Sequence, residues 1–465
     1  MKIAKSFVSL GLIILIIGMS ACTSAEKTAT ESETALAESK CTTTDVQTNA
    51  EVSSNDTITS MESKSMISSK TTQQSSLISS NSSGNTTSRS TVDMNTYDLS
   101  LYTQPFWKGN TVYHESVSFI QDADGNTPPG KLLFNPTQIL SVRSSDLQTE
   151  YQEKRDYILK DGKIFLTPNS RIQAMPYVEY MPFYASDAAK DWLVSATDPS
   201  RYIAVTDQIL KHQIAVTYTH EDQWKGYCPP SQLEHLPQIQ KKLNKKEALT
   251  VVFYGDSITA GWEASGADET CINMDSLLDF HLSIRRFPFM PTWSQMVCDR
   301  LQAAYSMDDL VRINHGAGGA ASAWGKENAR LMVSQENPDL VVIAFGMNQA
   351  TVSGNALKED IKAIIETVHS DCPLAEFLLV SCMIPNTDAA TFTGHQLRSQ
   401  EQALYELQAE MTKTSIAVAP VYTMTQNLLN AGKVYGDLSG NNLNHPNDYT
   451  IRVYAQTILA TLGIK

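Results

Sequence analysis

Hydrophobic and polar positions fall into three regimes along the chain. In the C-terminal half, continuous apolar runs alternate with stretches in which apolar residues recur every three to four positions. The runs predict strands at 249–254, 311–314, 339–345, 376–382 and 415–419, apolar on both faces as strands inside a parallel sheet are. The stretches between them predict helices at about 291–305, 323–335, 357–369, 395–413 and 449–461. This alternation predicts a doubly wound parallel sheet of about 220 residues.

Upstream the period shortens. Val112 to Ile120, Lys131 to Phe134, Ile139 to Val142, Tyr157 to Leu159, Lys163 to Leu166, Tyr202 to Val205 and Gln213 to Tyr218 are short apolar or alternating segments. Turn clusters such as Asp122-Ala-Asp-Gly125 and Thr127-Pro-Pro-Gly130 separate them. Many short strands at this spacing predict an all-β sandwich domain over 96–228. Pro229-Pro230 and a polar helical stretch from Gln238 to Lys246 then mark a linker at 229–247 before the second domain at 248–465. Nothing catalytic stands out in the β region. Trp107, Tyr113, Tyr177, Tyr180 and Phe183 read as core or as a sugar-stacking face. Glu115, with no evident partner, reads as a surface or turn residue.

The first 95 residues have neither pattern. Lys2 and Lys5 precede an apolar run from Phe7 to Gly18, then Met19-Ser20-Ala21-Cys22. That run is shorter than the roughly 20 residues a membrane span needs, so residues 1–22 read as an export signal. Small residues before a cysteine resemble a bacterial lipobox, with Met19 where leucine is usual. The resemblance implies that Cys22 is lipidated and the protein held on the extracellular face of the membrane; cleavage with release is the alternative. From Thr23 to Val92 there is no aromatic residue, and roughly half the positions are serine or threonine, too little apolar surface to fold. Residues 23–95 therefore read as a tether, with a root-mean-square reach on the order of 45 Å.

Candidate chemistry collects where the predicted strands end. The run Leu249–Tyr254 stops at Gly255-Asp256-Ser257, and open α/β sheets place ligands at the carboxyl ends of their strands. After the second strand comes Asn314-His-Gly-Ala-Gly-Gly319-Ala-Ala-Ser322, a glycine-dense loop whose bare backbone N–H groups suit an anion. After the third comes Gly346-Met347-Asn348-Gln349, and before the last helix Asn442-Leu443-Asn444-His445-Pro446-Asn447-Asp448. A serine hydroxyl becomes a useful nucleophile once an imidazole removes its proton, which pairs Ser257 with His445.

These four blocks, in this order, resemble the SGNH subgroup of the GDSL hydrolases over about 248–462. The resemblance implies a flavodoxin-like three-layer α/β/α fold and ester hydrolysis. Matched position by position, it makes Ser257 the nucleophile and His445 the base, with an oxyanion site formed by Ser257, Gly319 and Asn348. Losing one oxyanion donor typically costs ~3 kcal/mol of barrier. The family normally has aspartate three residues before the histidine, where this chain has Asn442. The imidazole is then oriented by the Asn442 side-chain oxygen, by a backbone carbonyl of the 442–444 turn, or by Asp437, with a neutral oxygen from that turn favoured. A neutral partner binds more weakly than a charged one, which predicts modest turnover. Asp448 reads as the cap of the last helix.

The insert between Trp262 and Trp293, with Phe280, Arg285, Arg286, Phe287 and Phe289, reads as a wall or lid of the site. A net charge of −14 argues against nucleic acid as a partner and for a neutral substrate. Two of the seven cysteines are Cys22 and Cys41, and the other five lack framework spacing. No metal-ligand spacing occurs, so neither a metal nor another cofactor is implied. The expectation is a lipid-anchored extracellular serine esterase acting on small acyl esters, foremost O-acetyl groups on carbohydrate. A lipase or thioesterase for longer chains, and a catalytically inactive carbohydrate-binding surface protein, are the alternatives.

Overall fold

Leu249–Gly255 (β7) runs between two parallel neighbours, and its side chains divide by parity. Val251 and Phe253 enter one core and Val252 and Tyr254 another, all four with no solvent exposure. Burying such side chains contributes about 1.5–3 kcal/mol each, enough to fix the strand's register. The computed structural model describes residues 97–464; the signal, Cys22 and the tether lie outside the described residues.

Preceding β7 are Thr111–Ser118 (β1), Gly130–Lys131 (β2), Pro136–Ser144 (β3), Tyr157–Lys160 (β4), Lys163–Leu166 (β5) and Gln213–His220 (β6). Following it are Asp268–Ile272 (β8), Asp279–Ser283 (β9), Leu310–Gly316 (β10), Leu340–Ala344 (β11), Glu376–Val380 (β12) and Ile416–Ala419 (β13). The principal sheet has the order β10-β7-β11-β12-β13 and every pairing in it is parallel. Helices Trp293–Tyr305 and Asp448–Thr461 pack on the face of Phe253, and Ser322–Met332 and Gly354–Asp371 on the face of Tyr254. An additional helix, Val421–Asn430, follows β13 directly after Pro420. The β8–β9 hairpin lies inside the insert after the nucleophile turn.

The upstream region folds as two three-stranded antiparallel sheets, β1-β6-β3 and β2-β5-β4. Val117, Phe119, Ile164 and Val216 bring both sheets into one core. Tyr202–Val205 forms no strand; Tyr202 makes one isolated bridge to Val194. The pairing of β1 with β6 shifts register between Val112 and Glu115, and His114 sits in that bulge at φ 45°.

Glu115 corrects the sequence reading, because it is fully buried. Its carboxylate accepts from Lys433 Nζ at 2.8 Å, Tyr218 Oη at 2.6 Å and the Leu133 backbone N–H at 3.0 Å. Lys433 also lies 3.3 Å from Asp437, which accepts from Ser118 N and Oγ at 2.6 and 2.8 Å. Burial alone would lower the Lys433 pKa, but the Asp437 and Glu115 carboxylates outweigh it and the pKa is raised. On the same seam Asn447 Nδ2 donates to Ser116 Oγ and Gln213 Oε1. Arg452, on the last helix, donates to the carbonyls of Tyr113 and His114.

Candidate active site

Ser257 opens a single helical turn, Ser257–Ala260, directly after β7. Asp256 caps that turn, accepting from Ile258 N at 2.9 Å, and backbone N–H groups of Met347 and Thr259 also hydrogen-bond its carboxylate. One carboxylate thus ties the serine turn to the turn that carries Asn348. Burial raises the Asp256 pKa to about 7 against the effect of those N–H groups.

The flanking strands deliver the remaining groups. At the end of β10, Gly316 allows close approach to the serine turn, since a Cβ there would lie 2.2 Å from the Ala260 nitrogen. Gly319 has φ +79° with only Met274 near its missing Cβ, so backbone conformation, not space, calls for glycine. Asn348 follows β11, and one of its amide hydrogens goes to the Ala320 carbonyl at 3.0 Å. That bond joins the Gly319 loop to the Asn348 turn and leaves the second amide hydrogen available.

His445 reaches the serine from the turn before the last helix. Its Nε2 stands 2.9 Å from Ser257 Oγ, and its ring lies 5.9 Å from that of Trp262, centroid to centroid. Burial lowers the imidazole pKa to about 4, so the ring is neutral at pH 7.

The orienting residue is not Asn442. Asn442 has φ +65°, and its amide nitrogen donates to the carbonyls of Ala204 and Tyr180 at 3.1 and 3.4 Å. Asp437 is held in the seam with Lys433 and Ser118. Asn441, which the sequence reading missed, faces His445 Nδ1 with its amide nitrogen at 3.1 Å. Its orientation is set by its oxygen, which accepts from the N–H groups of Leu443, Asn444 and His445, each at 3.0 Å. The nitrogen also donates to Asn444 Oδ1 at 3.1 Å. A neutral imidazole has one N–H and one bare nitrogen. With Asn441 donating to Nδ1, the ring proton sits on Nε2 and points at Ser257. A turn of asparagines four residues before the histidine was the available signal, because asparagine side chains commonly bond backbone N–H groups two to four residues on.

Two further expectations change. Asn447, not Asp448, caps the last helix, accepting from Thr450 N at 3.0 Å; Asp448 accepts from Ser265 N at 2.9 Å. A cavity of about 570 Å³ is lined by Arg285, Arg286, Phe287 and Phe289 of the insert together with the β region, and by neither Ser257 nor His445. No cluster of potential metal ligands occurs among the described residues.

Residues 253–450 match the GDSL-like Lipase/Acylhydrolase family, and this segment is a carboxylic ester hydrolase domain. No curated protein sequence matches the chain. Among solved structures, a two-domain esterase active on acetylated mannans is 19% identical with a TM-score of 0.37, covering 50% of this chain and 54% of its own. An acetylxylan esterase from Geobacillus stearothermophilus is 17% identical with a TM-score of 0.35, covering 47% of this chain and 95% of its own. An α/β hydrolase from the metagenome of Lake Arreo, Spain, is 16% identical with a TM-score of 0.35, covering 47% and 97%. The chain thus spans about half the length of the first of these structures.

Proposed function

We propose that this protein is an exported, lipid-anchored serine esterase that removes small acyl groups, foremost O-acetyl groups, from carbohydrate. The observation that carries the reading is the 2.9 Å approach of Ser257 Oγ to His445 Nε2 at the carboxyl end of β7, with the Gly319 and Asn348 loops on the two neighbouring strands. In the reaction Ser257 Oγ attacks the ester carbonyl while His445 Nε2 takes its proton. The N–H groups of Ser257 and Gly319 and the Asn348 amide hold the oxyanion, where preorganised donors act most strongly. His445 then protonates the departing sugar oxygen, and water, activated the same way, frees the acyl group from Ser257.

The bare Nε2 this cycle needs requires the ring proton on Nδ1, and therefore requires Asn441 to give up its donor contact. Turning its amide over would forfeit three N–H···O bonds, so the competent state lies above the resting one and turnover is modest. The same observation favours a second reading, a glycan-binding surface protein with an inert hydrolase domain. Membrane anchoring through Cys22 and the reach of the tether support an extracellular location, testable by palmitate labelling of Cys22→Ser against the parent chain.

A fluorophosphonate probe and a p-nitrophenyl ester series separate the readings. The proposal requires labelling that disappears in Ser257→Ala and hydrolysis that declines from acetate to longer chains. Hydrolysis rising with chain length selects a lipase, and an unlabelled parent chain selects the inert binder.

A further inference from the structure

We propose that the cavity of about 570 Å³ between the β region and the insert is a second site, distinct from Ser257, that binds neutral glycosyl units. The inference rests on the reading of the substrate as carbohydrate. The volume lies within the range of about 300–1,000 Å³ common for small-molecule sites. Three lining residues, His114, Tyr449 and Arg452, are each almost fully buried. His114 Nε2, Tyr449 Oη and Arg452 Nε find no hydrogen-bond partner among the described residues. Those three atoms lie behind the lining, and the groups that face a ligand are the exposed ones, foremost Phe287, Phe289, Asp207, Gln208 and Lys211.

The backbone behind the lining is strained: His114 sits in the β1 bulge in a left-handed conformation, φ 45°, an arrangement that tends to gather at functional positions. Burial together with Arg452 and Arg143 lowers its pKa to about 3, so the ring is neutral.

Charge selects the class of ligand. Arg285 and Arg286 of the lining are engaged by Asp268 at 2.9 Å and Glu263 at 3.2 Å, and Lys211 donates to Gln208. Arg452 and the carboxylates of Asp146, Asp207 and Asp448 are the other charges of the lining, so with Asp268 and Glu263 beside the arginines neither sign is in large excess. At the rim, Phe287 and Phe289 are 48% and 41% exposed with ring centroids 4.5 Å apart. Exposed aromatic faces beside balanced polar groups suit the C–H face and hydroxyl edge of a pyranose.

The test measures binding and hydrolysis separately. Xylopentaose, mannopentaose, chitopentaose and tetragalacturonate are titrated calorimetrically into Ser257→Ala protein, which binds without turnover. At least one neutral oligosaccharide should bind, and Phe287→Ala/Phe289→Ala should weaken it about tenfold. Gln208→Ala, which removes an exposed amide of the lining, should weaken it about fivefold without lowering Tm. On the parent background both variants should leave kcat/KM for p-nitrophenyl acetate unchanged and raise KM for acetylated polysaccharide. Binding unaffected by these variants, binding of none of the four sugars, or preference for tetragalacturonate would overturn the proposal. Loss of esterase activity on every ester, with oligosaccharide binding and its sensitivity to Gln208→Ala intact, would defeat the proposed reaction and leave the cavity assignment standing.

Discussion

The carboxyl edge of the parallel sheet and the seam against the β region are both built from buried polar groups, yet they are assembled on different principles. At the edge, Ser257, Gly319 and Asn348 follow the ends of three neighbouring strands and His445 sits in the turn before the last helix, each held by short turns that backbone geometry positions. Along the seam, groups from distant parts of the chain are satisfied only when two regions meet: Glu115 pairs with Lys433, and Ser118 donates to Asp437. The edge tolerates local change at a cost in rate; the seam does not tolerate loss of a partner, because an unpaired buried charge remains.

The largest effect should separate the two at once. Ser257→Ala and His445→Ala should each lower kcat by about 10⁴-fold or more with Tm nearly unchanged. Lys433→Met should do the reverse, costing about 3–5 kcal/mol of stability in urea unfolding, with kcat retained in the folded fraction. A Lys433→Met protein as stable as the parent would remove the contrast. At the edge, Asn348→Ala should lower kcat about 10²-fold, measured on p-nitrophenyl acetate with KM little changed. Asn441→Asp sharpens the picture in the opposite direction. A carboxylate there keeps the cap on the three N–H groups and offers its second oxygen to Nδ1–H, so kcat should rise about tenfold; an unchanged kcat would acquit the amide of holding the ring in the wrong tautomer.

The smallest expected effects are in pH and in Asn442. A depressed histidine pKa means the imidazole stays neutral, and able to accept a proton, down to lower pH than usual. The acid limb of kcat/KM should therefore fall near pH 4 instead of near 6.5, and a limb near 6.5 would contradict the burial of His445. Asn442→Ala should cost about 1 kcal/mol of stability through its lost carbonyl contacts while kcat changes less than for any edge variant.

Much of the edge was legible in the sequence because its groups follow strongly periodic apolar runs, so Ser257, Gly319, Asn348 and His445 could be placed at strand or helix ends from pattern alone. Asn441 was not, since the left-handed backbone of Asn442 sends the expected side chain away and brings its neighbour to the ring, an outcome spacing does not encode. The helix Val421–Asn430 escaped because its first residues mix valine, tyrosine and threonine after a proline, a weak start signal. Glu115 could not be read at all: its counter-ion lies 318 positions further on, and only tertiary packing introduces them. The insert was expected to form a wall or lid of the Ser257 site; its aromatic end instead lines the cavity against the β region, which neither Ser257 nor His445 borders.

The grip of β1 on the last helix also limits how the molecule can be divided. A chain cut within 229–247 would keep the hydrolase strands but strip the carbonyls that hold the Arg452 guanidinium and the carboxylate of Glu115 that faces the Lys433 ammonium. Both cations would then meet solvent across a face shaped for protein, and the helix that follows His445 would lose its backing. The antiparallel half is in this sense an intramolecular chaperone for the catalytic half, and gene fragments that begin at β7 should yield insoluble product.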